Sequence, residues 1–139
     1  MAWQKIVVIN FGGHYAHKIT RTLRLQGFHA EIAAPSVQLE DLKGAAGIVL
    51  SDGSTSLQDP RAPLFNKEIL NLEIPILGIG YGHLLLAHLC GGKVGRALIG
   101  EFGFAQMNQN RTTYSPLLLN LDDSIRVSVS HRDEVLQLP

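Results

Sequence analysis

The stretch "PILGIGYGHLLLAHLCGG", Pro75 to Gly92, decides the fold. It reads as a buried apolar strand, a tight turn and an apolar helix stopped by Gly91 and Gly92. Its turn, "Gly78-Ile79-Gly80-Tyr81-Gly82", has the spacing Gly-x-Nuc-x-Gly. A strand-turn-helix of that kind holds its central residue in a strained backbone conformation, and the outer glycines prevent clashes in so sharp a bend. The helix beginning near Gly82 aims N–H groups and positive dipole potential at the apex, a field suited to a thiolate or an oxyanion. The apex residue is Gly80, which carries no side chain. A plain glycine-rich strand-to-helix connection has the same spacing, so the flanking sequence must choose between the two.

Upstream, "KIVVIN" (Lys5–Asn10) is a β-branched run of the kind that forms a buried parallel strand. "HYAHKITRTLRLQG" predicts a helix with Tyr15, Ile19, Leu23 and Leu25 as its apolar positions, closed by Gly27. "FHAEIAA" predicts a second strand, "VQLEDLKG" a short helical or turn segment, and "AAGIVLS" (Ala45–Ser51) a third strand. A polar loop, "DGSTSLQDPRAP", leads to "LFNKEILNL", expected as a full helix, and then to the strand "IPILGI". Strands alternating with helices predict βαβ units, a mostly parallel sheet and helices on both faces. Beyond Gly92, "KVGRALI", "EFGFAQMNQ" and "IRVSVSH" read as strands joined by "NQNRTTYSP" and "NLDDS", a small antiparallel addition. No repeat or linker divides residues 1–139, so one domain is expected.

Ligands of open α/β sheets bind beyond the carboxyl ends of the strands. On this reading those ends carry "NFGGHY", "SDGS", "GIGYG" and "SHRDE".

Composition narrows the partners. Apolar residues make up 45% and charged residues 17%, enough for one packed core. Lys+Arg and Asp+Glu both number 12, and no basic run argues for nucleic acid or an anionic membrane. The N-terminus does not read as a signal peptide and no segment is long enough to span a bilayer, so the cytoplasm is the expected compartment. One cysteine, Cys90, excludes an intramolecular disulfide. Zero formal charge gives little colloidal repulsion and favours self-association or a separate partner protein.

Five blocks, in order, resemble the class I glutamine amidotransferases, and more narrowly the glutaminase component of GMP synthetase in its separate-subunit, archaeal form. They are "VINFGGHYAHKITRTLRLQG", "GIVLSDGS", "PILGIGYGHLLLAHLCGGKVGR", "EFG" (Glu101–Gly103) and "SHRDEVLQLP" (Ser130–Pro139). The second resembles the family's Ser-Gly-Gly-Pro oxyanion strand, and the third its nucleophile turn Gly-Ile-Cys-x-Gly. The resemblance implies a three-layer α/β fold with a mostly parallel, flavodoxin-like central sheet, helices on both faces and a small antiparallel C-terminal addition. It implies a cysteine that attacks the side-chain amide of glutamine to form a thioester, helped by a His-Pro-Glu block. The ammonia released passes to an ATP-pyrophosphatase synthetase subunit that makes GMP from xanthosine monophosphate. It implies no cofactor and no metal.

This chain departs from the pattern. Gly80 stands at the nucleophile position, and loss of a triad nucleophile typically costs about 10⁶-fold in turnover. Leu84 stands where the family usually has a substrate-holding glutamine. Asp52 and Ser54 replace a glycine and the proline of the oxyanion strand, leaving Gly53. A carboxylate at position 52 is the wrong charge beside a developing oxyanion. The sequence ends at Pro139, ahead of any His-Pro-Glu block, and is expected to be short relative to the family. No catalytic residue is therefore assigned. The resemblance leaves Gly53 and Tyr81 as backbone oxyanion positions, and Gly53, Leu84, Glu101, His131 and Asp133 as substrate-binding positions.

Other side chains have plainer readings. Cys90 lies about 15 Å along the helix from the apex and is expected to pack in the core. His131 reads as a wall residue, Glu101 as a site residue or a strand-edge charge, and Asp133 as a ligand for a substrate amino group or a turn cap. His14 and His17 share a helix face without further metal ligands, and His83 and His88 lie on different faces.

Three readings follow: a catalytically degenerate amidotransferase domain that still meets a synthetase-like partner or glutamine, a truncated and mutated fragment of an active glutaminase, or a non-enzymatic interaction module. A flavodoxin-like nucleotide binder is disfavoured, because "NFGGHY" lacks a long phosphate-binding loop. A short chain should leave apolar surface uncovered, so a homodimer or a bound partner is expected.

Overall fold

The computed structural model describes residues 4–63, 65–110, 112 and 114–139. These form two compact units, one running to Gly95 and joined by Val135–Pro139, the other Arg96–Glu134.

The first unit holds β1 (Lys5–Phe11), α1 (Ala16–Leu25), β2 (His29–Ala33), α2 (Leu39–Leu42), β3 (Gly47–Gly53), β4 (Ile76–Gly78) and α3 (Tyr81–Leu89). Among the described residues the strands make one four-stranded sheet in the order β2-β1-β3-β4, every pair parallel. Strand alternation sorts the apolar residues onto two faces. Val7, Ile9 and Phe11 of β1 join Ile48 and Leu50 of β3, Tyr81, Leu85 and Leu89 of α3, and Leu42 of α2 in the larger core. Val8 and Val49 point the other way, onto Ala16 with Ile19 and Leu23 of α1. The expected sandwich of helices on both sheet faces is therefore what forms.

Helix α1 turns a different face inward from the one its bulk suggests. Ala16 and Thr20 are buried, while Tyr15 and Leu25 are exposed. Thr20 can be buried because its hydroxyl donates to the Ala16 carbonyl at 2.9 Å. Helices α1 and α3 stop in the same way. Gly27 and Gly91 take positive φ, and paired backbone bonds (Gly27 to Arg24, Phe28 to Leu23; Gly91 to His88, Gly92 to Ala87) satisfy the last carbonyls.

The segment expected as a full helix is a 3-10 helix over Lys67–Leu72, and Leu64 lies outside the described residues. Asn66 caps it by accepting the Glu68 N–H at 3.0 Å, and Glu73 ends it in the left-handed region. Three residues per turn place Ile69 and Leu72 on one side, and both pack on the larger core.

The second unit is formed by parts of β5 (Lys93–Asn108) and β6 (Ser124–Gln137), which pair as a two-stranded sheet. The pairing is antiparallel: Gly95 meets Leu136, Gly100 meets Arg132, and Gln106 bonds Ser124. The expected break between "KVGRALI" and "EFGFAQMNQ" is absent, and β5 runs straight through Gly100. A Cβ at Gly100 would stand 2.8 Å from the Phe102 ring and 3.2 Å from the Arg132 side chain, so this glycine marks close packing and not a turn. "SHRDE" also lies inside β6, where alternation continues through Val127, Val129, His131, Asp133 and Val135, and not at a strand end. Of the turn "NQNRTTYSP", Arg111 and Thr113 lie outside the described residues, and Pro116–Leu118 forms a 3-10 turn. No described helix is long and apolar enough to cross a membrane.

Candidate functional site

Three of the segments expected at the sheet's carboxyl edge meet there. Gly12, just past β1, bridges to Gly53 at the end of β3. Strand β4 runs beside β3, with the Ile79 N–H donating to the Leu50 carbonyl at 2.9 Å, and the chain then reverses at Gly80. Gly80 is the N-cap of α3, with φ 57° and ψ −118°, a region that side chains avoid. Its carbonyl accepts the His83 and Leu84 N–H groups at 3.0 and 3.2 Å, which starts the helix at once.

The outer glycines are there for close approach. A Cβ at Gly78 would stand 2.7 Å from the Gly82 carbonyl oxygen, and one at Gly82 would overlap the Leu50 carbonyl. Both obstacles are backbone, so neither can swing aside. The glycine spacing is thus the signature of a true elbow, with α3 packed directly onto β3.

Asp52 lies beside the apex. Its carboxylate accepts the backbone N–H groups of His14 and Tyr15, both at 3.1 Å. Those amides belong to the N-cap Tyr15 and the residue before it, just ahead of α1, whose N-cap makes no side-chain hydrogen bond and whose first turn holds no acid. Asp52 therefore sets a negative charge at the positive end of α1 and satisfies its N-cap amide, a placement typically worth about 0.3–1 kcal/mol. Sequence alone presents Asp52 only as a misplaced charge. The hint of its role in the sequence is the helix start "HYAHK", which has no acid of its own.

Tyr81, the first residue of α3, is buried. Its ring lies 5.3 Å from that of Phe11, and Phe11 in turn meets Phe65 edge-on at 6.2 Å. The Tyr81 hydroxyl donates to the Pro63 carbonyl at 2.9 Å, and burial raises its pKa above 10.0. Gly53 packs against this ring, with its Cβ position 2.9 Å from Tyr81 Cγ. Leu84 is half-buried one turn further along α3.

Glu101, His131 and Asp133 belong to the second unit. His131 Nε2 stands 3.1 Å from Glu101 Oε2, joining β5 to β6, so Glu101 is a cross-strand partner. Asp133 is buried within β6, which rules out its reading as a turn cap. Cys90 is exposed, against the expectation of core packing. It follows the inward-facing Leu89 by one position, and about 100° of helix rotation carries it out of the core. His14, His17, His83 and His88 are all exposed.

Chemically, the apex offers no side-chain nucleophile, and the acidic group beside it already holds two backbone donors. What persists is the frame: three close-packed glycines, a helix N-terminus and the end of β3.

Comparison with known proteins agrees with this frame. The family model for "Glutamine amidotransferase class-I" matches residues 7–139. GMP synthase (glutamine-hydrolyzing) of Aeropyrum pernix is 41% identical over 138 residues, covering 96% of this chain and 26% of the relative. The enzyme of the same name from Caldicellulosiruptor saccharolyticus is 38% identical over 141 residues, covering 100% of this chain and 27% of the relative. The chain thus spans about a quarter of the length of these relatives. The crystal structure of a Thermoplasma acidophilum protein assigned as a GMP synthase subunit superposes with a TM-score of 0.89 at 28% identity, covering 100% of this chain and 70% of that one. The chain belongs to the class I glutamine amidotransferases, and within them it is similar to GMP synthases.

Proposed function

We propose that this chain is a glutamine amidotransferase domain of GMP-synthetase type that no longer hydrolyses glutamine and acts by binding an ATP-dependent synthetase subunit. One observation carries the reading: Gly80 occupies the apex of an otherwise intact nucleophile elbow. Without a side chain at that point no thioester with glutamine can form, and the helix dipole has no thiolate to stabilise. The backbone of Gly53 and Tyr81 is then the remnant of an oxyanion site. Gly53 and Leu84 of the first unit and, separately, Glu101, His131 and Asp133 of the second are the positions at which the family resemblance implies contact with glutamine. Exposed Leu98, Ile99, Phe102 and Phe104 on the ribbon supply apolar surface of the kind that marks an interface and support the partner half of the reading.

The test is ammonia release from glutamine, measured with the purified chain alone and with the ATP-dependent synthetase portion of a related GMP synthase. The expected result is release no faster than the protein-free blank in both cases, together with a complex in analytical ultracentrifugation. Release above blank overturns the loss of hydrolysis, and no complex at micromolar concentrations overturns the partner.

A further inference from the structure

Asp52 is held from both sides. A Cβ at Gly13 would overlap the Asp52 carboxylate and stand 2.7 Å from its carbonyl oxygen. A Cβ at Gly80 would stand 3.1 Å from Asp52 Cβ and 3.4 Å from its Cα. The first of these two contacts is tight by a few tenths of an ångström and the second is ordinary van der Waals contact, and both fall on atoms that are not the loose end of a side chain. They move with the β3 backbone, which at Asp52 lies past the last pair with β4 and within the register shift between the Ile9–Leu50 and Phe11–Gly53 pairs with β1. The carboxylate is tethered as well, by the N–H groups of His14 and Tyr15. A Cβ at position 80 therefore crowds Asp52, whose carboxylate already fills the space a Cβ at Gly13 would need and is held by the His14 and Tyr15 amides.

We infer that Asp52 is the positioning residue that fixes α1 against the elbow, and that its side chain and a side chain at position 80 compete for space. Gly80 is then required twice, by its own backbone angles and by the presence of Asp52. A side chain at the apex is therefore better accommodated once the Asp52 side chain is removed. This statement is about packing and holds whether or not the chain hydrolyses glutamine, so it stands apart from the proposed function.

The test is a thermal-melting cycle on the full chain with the parent, Gly80→Ala, Asp52→Gly and the double variant. Alanine adds the Cβ alone. Gly80→Ala should lower Tm in both backgrounds because the backbone strain persists. The loss should be smaller by about 3 °C or more when Asp52 is glycine. Amide exchange gives a second readout: in Gly80→Ala the His14 and Tyr15 amides should exchange at least about tenfold faster while those of β2 keep their rates. Equal Tm losses in the two backgrounds overturn the inference. So do unchanged His14 and Tyr15 exchange rates.

Discussion

The ring of Tyr81 rests on the α-carbon of Gly53, with room between them too small for a methyl group. Any Cβ at 53 would stand 2.9 Å from Tyr81 Cγ and 3.2 Å from the Phe11 carbonyl oxygen. The first residue of α3 is thereby fixed to the end of β3, and its hydroxyl fixes it again to Pro63. Gly53→Ala should destabilise the protein by about 1–3 kcal/mol through overpacking. Tyr81→Phe should cost about 1 kcal/mol, the typical net value of one hydrogen bond. Urea unfolding of both variants checks this; an unchanged midpoint for Gly53→Ala would mean that the contact is slack.

Gly80→Cys restores the family's apex residue in a backbone conformation that side chains adopt only under strain. The expected cost is about 1–3 kcal/mol from the angles alone. Glutaminase activity should not appear, because the Cβ that carries the thiol crowds Asp52, whose carboxylate is the wrong charge beside a developing oxyanion. Equal or greater stability of the cysteine variant would contradict the idea that glycine relaxed this elbow.

Two groups give opposite pH dependences. Asp59 accepts hydrogen bonds from the Arg61 guanidinium and then from the Arg61 backbone N–H, and its pKa is lowered to about 2. A lowered carboxyl contributes stability above its unfolded value, about 3.9, and loses it as pH falls through the folded value. NMR titration of Asp59 should therefore show a midpoint near pH 2, with the loop bonds around Arg61 opening only there. A midpoint near the unfolded value would show that the pair does not form.

Tyr81 behaves in the other direction, since burial raises its pKa. Its contribution is complete below the unfolded tyrosine value, about 10, and is lost as pH rises above it. Tyr81→Phe should remove part of the alkaline fall in Tm seen above about pH 10. Identical alkaline slopes for the two proteins would assign that fall to other groups.

Cys90 is exposed at the C-terminal end of α3. It should react with a thiol reagent in the native protein as fast as after addition of denaturant, to within about an order of magnitude. Labelling that requires unfolding would place it back in the core.

The strands were legible because their chemistry is local. "KIVVIN" and "GIVLS" are continuous apolar runs, which parallel strands covered on both faces require. The elbow was legible because glycines at positions 78, 80 and 82 answer three separate steric demands of one bend. The 3-10 helix was not, since "NKEILNL" suits either helix and the choice rests on how Ile69 and Leu72 meet the core. The unbroken β5 was hidden for a related reason. Gly100 looks like a turn until Arg132 and Phe102 are seen to occupy the space its side chain would need.

Taken by itself, the sequence determined the layered α/β architecture, the place of the bend and the absence of a nucleophile in it, because periodicity, glycine spacing and residue identity are properties of the chain. Only the tertiary structure decided what Asp52 does. Its hydrogen-bond donors, His14 and Tyr15, are nearly forty positions away in sequence. Only the packing of β1 beside β3 brings a lone carboxylate to a helix start that lacks its own cap.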